Sequence, residues 1–209
     1  MKELPKIYFE RVCGEPRADY PALMSRARRA QLERFTNREA LRLAIAAELL
    51  LVQAYSEYTG RPEAPVEWAA DSYGKPYLPD DPGFHFSLSH TSGFAVCAAH
   101  NANVGVDCER VRDPGEKLAR RIMTEREYAG YIAAPCRAVE FARLWTRKEA
   151  YAKFTGLGIG IGMNTVTLSG EGGAELISSP GYPPALILGV DTGEAEVIAA
   201  AAYELPDDI

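Results

Sequence analysis

The stretch Val104-Gly105-Val106-Asp107-Cys108-Glu109 is the part of this sequence around which the rest is organised. Side chains alternate along a β-strand, so its two valines and its cysteine face one side, and Asp107 and Glu109 face the other. The stretch therefore predicts a strand with an apolar core face that presents two carboxylates at one edge of a sheet.

A helix downstream supplies matching groups. In the segment 141–153, the spacing of apolar residues is typical of a helix, and Trp145, Glu149 and Lys153 recur at i, i+4 and i+8 along one edge. This adds a third carboxylate and a lysine on a rigid element. Three hard oxygen ligands with open water positions suit Mg²⁺, which prefers about one to three carboxylates together with the oxygens of a bound phosphate. The two stretches predict a magnesium-dependent enzyme that acts on a phosphate ester.

Composition restricts the function classes. The chain has 209 residues, 47% of them hydrophobic, which fits one compact unit or two small subdomains. A net charge of −6 argues against binding to a nucleic-acid backbone, which requires a dense basic surface. No stretch approaches the roughly 18 apolar residues of a membrane span, and the first residues lack an apolar signal core. We therefore expect a cytoplasmic monomer that does not bind nucleic acid or a membrane.

The four cysteines are widely spaced and form no C-x-x-C pair, so we expect reduced thiols and neither a zinc site nor a disulfide framework: Cys13, Cys97, Cys108 and Cys136.

A repeated pattern indicates two related halves. A hairpin predicted across 84–99 has the same strand, turn, strand rhythm as a segment about one hundred residues later, which ends near Ala200. A long helix precedes each of them, the first running from about Asn37 to Tyr58 and stopping at Gly60. The pattern predicts an α+β protein made of two similar halves, with a ligand site in the cleft between them.

Basic residues cluster near the N-terminus. Six arginines stand against two glutamates between Arg26 and Arg42. Two interpretations are open, a pair of solvated helix faces or a local anion site in an acidic protein. Lys75 lies in a Gly-Pro turn from which it can reach a phosphate. His90 follows Ser89 at the end of a predicted strand, and by itself it is more typical of a structural or surface histidine than of a ligand.

Taken together, four motifs resemble the 4′-phosphopantetheinyl transferases of the larger, surfactin-synthetase-activating type. They stand in the family's order and spacing: Tyr73-Gly-Lys-Pro76, Phe86-Ser-Leu-Ser-His90, Gly105-Val-Asp-Cys-Glu109 and Trp145-Thr-Arg-Lys-Glu-Ala-Tyr-Ala-Lys153. The resemblance covers roughly Ser25 to Gly162. Two departures are Cys108, where an aliphatic residue is usual, and Gln31, where the family often has a basic residue.

The resemblance implies an activity and a fold. The family transfers the phosphopantetheine arm of coenzyme A to a serine of an apo acyl or peptidyl carrier protein and releases adenosine 3′,5′-bisphosphate. The implied fold is two similar α+β halves related by pseudo-two-fold symmetry, with the active site between them. We place the boundary approximately, with residues 1–100 as the N-terminal half and 101–209 as the C-terminal half.

The resemblance also implies ligands for the metal. Asp107, Glu109 and Glu149 are expected to bind Mg²⁺, for which Mn²⁺ can substitute. Glu149 or a metal-bound water is expected to act as the base for the serine hydroxyl. Lys153 is expected to assist catalysis by facing the pyrophosphate of coenzyme A.

For the remainder of coenzyme A, the resemblance implies contacts from the N-terminal half. His90 is expected near the pyrophosphate, together with Lys153. Lys75 and Ser89 are expected at the nucleotide end. Arg28 and Arg42 are the candidates for the 3′-phosphate.

The carrier protein is expected to dock near Asp113 to Met123 and the helix that follows. The segment leaves the metal strand directly and combines basic and apolar residues: Lys117, Leu118, Arg120, Arg121, Ile122 and Met123. Carrier proteins are typically acidic around their serine, so local positive charge favours their approach despite the negative net charge.

Two other functions use the same residues. A Mg²⁺-dependent phosphohydrolase would use the carboxylates with water as the nucleophile, and it would release its products without a carrier protein. A non-catalytic module would bind coenzyme A or the carrier protein alone. The presence of every expected metal ligand argues against the second alternative.

Overall fold

A computed structural model describes residues 4–170 and 175–205, so the start of the predicted N-terminal half and the end of the predicted C-terminal half lie outside the described residues. The elements of the N-terminal half are β1 (Lys6–Arg11), α1 (Arg26–Leu32), α2 (Arg38–Thr59), β2 (Ala69–Ala70), β3 (Pro76–Tyr77), β4 (His85–Thr91) and β5 (Phe94–His100). Those of the C-terminal half are β6 (Val104–Arg110), α3 (Glu116–Ile122), α4 (Glu125–Ala133), α5 (Arg137–Thr155), β7 (Thr167–Ser169), β8 (Glu175–Ser178), β9 (Ala185–Val190) and β10 (Val197–Glu204).

The two main sheets repeat one topology. The first has the strand order β1-β5-β4, and the second begins with the equivalent order β6-β10-β9 before it continues to β8 and β7. In each half the first strand pairs antiparallel with the last strand, which lies in the centre of the three. Helix α2 packs on the first sheet and α5 on the second. The predicted α+β fold with two similar halves is confirmed.

Local signals account for the ends of both long helices. The Asn37 side chain caps α2 by accepting a hydrogen bond from the backbone N–H of Ala40 at 3.0 Å. Gly60 ends α2 in the left-handed conformation with φ 68°, and Gly156 ends α5 with φ 80°. The start of α5 at Arg137 is one turn earlier than the predicted segment, because the residues before Phe141 extend the same helix.

The halves meet along β4 and β6. Ser87 Oγ accepts a hydrogen bond from the Val106 N–H at 3.0 Å, and Thr91 Oγ1 accepts one from the Arg110 N–H at 3.3 Å. Both partners advance in the same direction, so these two strands run parallel to each other. Apolar residues from β5, β6 and β10 form the core behind this junction. The carboxylate-bearing strand therefore lies where the two halves join.

Helix α3 and the short strands β2, β3 and β8 were not predicted from the sequence. Helix α3 has seven residues, and Gly115 at its N-terminus provides no side-chain cap, so neither a long periodic pattern nor a capping signal indicated it. Strand β8 has four residues, too few for a clear alternation. No helix within the described ranges is both long and apolar enough to cross a membrane.

Candidate active site

Asp107 is the buried centre of the predicted site. Its Oδ1 atom accepts hydrogen bonds from Ser89 Oγ at 2.8 Å and from Lys153 Nζ at 2.9 Å. Its Oδ2 atom is buried and has no hydrogen-bond partner among the described residues. A buried carboxylate oxygen without a partner costs free energy, because nothing replaces the water that it lost. This oxygen is therefore available to a cation or another donor.

Lys153 joins helix α5 to strand β6. Besides Asp107, its ammonium donates to the Val106 carbonyl at 3.0 Å. The helix can approach this closely because position 105 is glycine. A Cβ atom there would lie 2.1 Å from the Ala150 carbonyl oxygen and 2.4 Å from the Phe154 nitrogen. Any side chain at Gly105 would push the helix away from the strand.

Glu109 lies at the more open end of the same strand. Trp145 Nε1 donates a hydrogen bond to its Oε1 at 3.2 Å, and Arg112 approaches its Oε2 at 3.9 Å. Burial raises the pKa of Glu109, and the negative charge of Asp107 raises it further. The Trp145 ring stacks on Phe141 with ring centroids 5.9 Å apart, which holds the indole in place.

Glu149 shares this electrostatic environment. Burial is the main cause that raises its pKa to about 7, and the charges of Asp107 and Glu109 add to it, while Lys153 opposes them. In residues 4–170 and 175–205, no group of three or more His, Cys, Asp and Glu side chains is arranged to hold a metal ion. The chemistry of the donor set nevertheless fits Mg²⁺: three carboxylates in one electrostatic environment, and one buried oxygen without a donor.

Lys75 faces the interior of the junction. Its ammonium donates to the Asn103 side chain and, at 2.7 Å, to the Phe154 carbonyl near the end of α5. Burial lowers the pKa of Lys75 to about 8. A cavity of about 240 Å³ runs between the two halves at this point, and Lys75, Leu88 and Lys153 are among its lining residues. Two of the predicted cations therefore line one cavity.

The structure places the residues of the N-terminal half that were predicted to contact phosphates at two separate sites. Partial desolvation lowers the pKa of His90, and the positive charges of Lys153 and Arg28 lower it further, so these three groups are electrostatic neighbours. Arg42 donates to the Gly14 carbonyl at 3.4 Å and lines another cavity, of about 260 Å³. In the described part of the chain it shares no hydrogen bond or ion pair with the other predicted site residues.

The predicted docking segment is only partly accessible. Ile122 and Met123 are buried in the core of the C-terminal half, which corrects their assignment to a docking surface. Lys117, Leu118 and Arg121 are exposed. A cavity of about 300 Å³ connects this segment to the end of β6, with Leu118, Trp145 and Glu109 among its lining residues.

Two polar residues that were not identified from the sequence form hydrogen bonds with predicted site residues. Asn103 binds both Lys75 and the Phe154 carbonyl, and nothing in the sequence of this turn indicated it. Glu48 is almost completely buried in α2 and binds Arg28. A charged residue within the apolar stripe of α2 was a usable signal, because buried charges require partners.

Comparisons with known proteins agree with the resemblance. Residues 103–201 match the model of the 4′-phosphopantetheinyl transferase superfamily, and residues 19–102 match the model described as 4′-phosphopantetheinyl transferase, N-terminal. A 4′-phosphopantetheinyl transferase of Bacillus subtilis is 27% identical over 94% of this chain and 90% of its own length. The transferase Sfp of Bacillus subtilis strain 168 is 25% identical, over 97% and 94%. The transferase psf-1 of Bacillus pumilus is 33% identical, over 71% and 66%.

The two family models adjoin at residue 102 and together span residues 19–201. Each model falls on one of the two structural halves, and the first two relatives align over nearly their whole length. This chain belongs to the 4′-phosphopantetheinyl transferase superfamily, as a transferase of the Sfp type.

Proposed function

We propose that this chain transfers the phosphopantetheine arm of coenzyme A with Mg²⁺ held by Asp107, Glu109 and Glu149. Transfer of that arm from coenzyme A to a carrier protein is the activity of the family to which the chain belongs. The observation that carries the metal assignment is the buried Asp107 Oδ2 without a partner among the described residues. The raised pKa values of Glu109 and Glu149 support it, because a cation relieves the repulsion among the three carboxylates.

The chemistry is a displacement at phosphorus. The serine oxygen of the carrier protein forms a bond to the phosphorus that bears the pantetheine arm, and the bond from that phosphorus to adenosine 3′,5′-bisphosphate breaks. Bound Mg²⁺ would neutralise charge on the phosphate oxygens. Glu149 is the proposed acceptor of the serine proton; burial and its carboxylate neighbours raise its pKa to about 7 in the metal-free site, and bound Mg²⁺ would lower that value. The Lys153 ammonium, held beside Asp107, stabilises negative charge on the leaving oxygen.

The rest of coenzyme A is proposed to bind along the junction between the halves. Lys75 and Lys153 both line the cavity there. The positive charges of Lys153 and Arg28 both act on His90. Ser89 donates a hydrogen bond to Asp107, so its role in this proposal is to position that carboxylate.

A cytoplasmic location and a monomeric state belong to the same proposal. The location is supported by cysteines that form no disulfide within the described residues.

The test is incubation with coenzyme A, Mg²⁺ and a panel of apo carrier proteins from fatty-acid, polyketide and peptide synthases, followed by intact mass measurement. We expect at least one carrier protein to gain one phosphopantetheine group, and a serine-to-alanine carrier protein to gain none. Release of free phosphopantetheine without a carrier protein would identify a phosphohydrolase. Full turnover in excess EDTA, with metal carry-over excluded, would overturn the metal assignment.

A further inference from the structure

Glu48 is a buried carboxylate whose two oxygens are both used. Its side chain is 2% exposed, in the interior face of α2. Oε2 accepts a hydrogen bond from Arg28 Nε at 2.9 Å, and Oε1 accepts one from Trp68 Nε1 at 2.9 Å. Burial raises the pKa of Glu48, and Arg28 and Trp68 oppose that rise. A charge in this position is tolerated only because both of its partners are in place.

The same contacts determine the orientation of Arg28. Its Nε atom is bound to Glu48, its Nη1 atom donates to Gln31 Oε1 at 2.9 Å, and its guanidinium lies 5.5 Å from the centre of the Trp68 ring. A planar guanidinium held by two hydrogen bonds and one ring face has little freedom to rotate. Nη2 donates no hydrogen bond to any described residue, and it is the nitrogen left for a ligand.

Arg28 belongs to the cleft as well as to the core. Its side chain is 17% exposed, so the guanidinium reaches the surface although its partner is buried. Its positive charge acts on His90, on which Lys153 also acts. The positive charges of Arg28 and Lys153 therefore act on the same group, where they would attract an anion.

We infer that Glu48 is a positioning residue for coenzyme A: it orients Arg28 so that the free edge of the guanidinium binds the 3′-phosphate. The inference rests on the proposed function, because it requires coenzyme A in this cleft. The competing explanation is that Arg28 only neutralises Glu48. The two differ in one measurable respect, since only an oriented Arg28 distinguishes ligands with a 3′-phosphate from ligands without one.

The test compares binding of coenzyme A and 3′-dephospho-coenzyme A to the full chain by calorimetry, without carrier protein. In Glu48→Gln we expect coenzyme A to bind about five- to tenfold more weakly, the size expected when one charge-assisted hydrogen bond is misaligned. Binding of 3′-dephospho-coenzyme A should change less than twofold. An equal loss for both ligands, or no loss for either, would overturn the inference.

A matched control lies on the same helix. Glu57 is an exposed glutamate of α2 that accepts hydrogen bonds from Tyr8 and Gln53. It shares no hydrogen-bond partner with Arg28 among the described residues. Glu57→Gln should leave the ratio of the two affinities at its wild-type value. A change in that ratio as large as the one in Glu48→Gln would show that the effect is not specific to Glu48.

A second pair of variants distinguishes a specific effect of Glu48→Gln on Arg28 from a general folding defect. In Arg28→Met the guanidinium is absent, so adding Glu48→Gln to it should not change the affinity ratio further. Losses that multiply would mean that Glu48 acts independently of Arg28 and would reject the inference. Failure of phosphopantetheine transfer by wild-type protein would instead count against the proposed function, and the affinity ratio is measured without any transfer.

Discussion

Lys153 Nζ lies 2.9 Å from Asp107 Oδ1, and this contact joins the last turn of α5 to the middle of β6. Ser89 donates to the same oxygen, so two donors hold Oδ1, and none of the described residues holds Oδ2. One half of the carboxylate is thus engaged by the protein. The other half is available to a cation, provided that Glu109 and Glu149 complete its coordination.

The first prediction concerns Asp107→Asn. The amide retains an oxygen for Ser89 and Lys153, so the fold should persist, but the negative charge at the buried position is lost. We expect the Mg²⁺-dependent part of coenzyme A binding to disappear and turnover to fall by about two orders of magnitude or more, equivalent to a few kcal/mol. Glu196→Gln, at an exposed partner of Arg110, is the control. Wild-type Mg²⁺-dependent binding in Asp107→Asn would contradict the assignment.

The second prediction separates two roles of Glu149. If Glu149 is only a metal ligand, raising Mg²⁺ or substituting Mn²⁺ should restore part of the rate of Glu149→Gln, because the remaining ligands still bind the ion. If it also accepts the serine proton, kcat should stay low at saturating metal. We expect the second result, because burial and the charges of Asp107 and Glu109 raise the pKa of Glu149 to about 7 in the metal-free protein and so favour a proton on its carboxylate. Recovery to the wild-type kcat at high Mn²⁺ would exclude the base role.

The third prediction concerns pH. Burial lowers the pKa of Lys75 to about 8, so its positive charge is present below this pH and is lost as the pH rises through it. A lysine must be protonated to attract a phosphate, so coenzyme A binding should weaken between about pH 7 and pH 9 by about threefold or more. Lys75→Gln should show weaker binding that is flat across this window. Lys117→Gln, an exposed change in α3, should retain the wild-type profile, and an unchanged profile in Lys75→Gln would remove Lys75 from coenzyme A binding.

The fourth prediction distinguishes two neighbouring arginines of the docking segment. Arg120 already pairs with Glu116 at 2.9 Å and lies 4.2 Å from the centre of the Tyr128 ring. Arg121 is exposed, without such a contact among the described residues. We therefore expect Arg121→Glu to raise the KM for carrier protein more than Arg120→Glu does, by about tenfold at low salt. The KM for coenzyme A should change little in both variants, and equal carrier KM values in wild type and Arg121→Glu would exclude this surface.

The fifth prediction tests the approach of α5 to β6. Gly105→Ala would place its Cβ against the backbone of Ala150 and Phe154, which cannot rotate away. We expect a loss of about 1 to 3 kcal/mol in the free energy of unfolding, and a loss of activity because the helix carries Glu149 and Lys153. Gly130→Ala in α4 is the matched control, since a Cβ there meets nothing within 4 Å and an alanine favours a helix by about 0.5 to 1 kcal/mol. Equal unfolding midpoints in these two variants would contradict the close approach.

Short-range signals in the sequence determined most elements of this fold. Asn37 and Gly60 set the ends of α2 because capping depends on residues within one turn. Alternation along β6 set which side chains share a face, since the pleat has a period of two. The repeat at about one hundred residues was visible because both halves use the same succession of strand, helix and hairpin. The four-residue β8 was not predicted, because so short a segment shows no clear alternation of apolar and polar side chains.

Only the tertiary structure decided which of the predicted residues act together. Asp107 meets Ser89 and Lys153 across 18 and 46 residues of sequence, and Lys75 meets the Phe154 carbonyl across 79. Such contacts depend on how closely two sheets and two helices pack, and no local pattern encodes that distance. For the same reason the sequence predicted Asp107 as a metal ligand but could not show that one of its oxygens already accepts two hydrogen bonds. The sequence shows which chemical groups are available for a site, whereas the packing of the two halves decides which of these groups pair with one another.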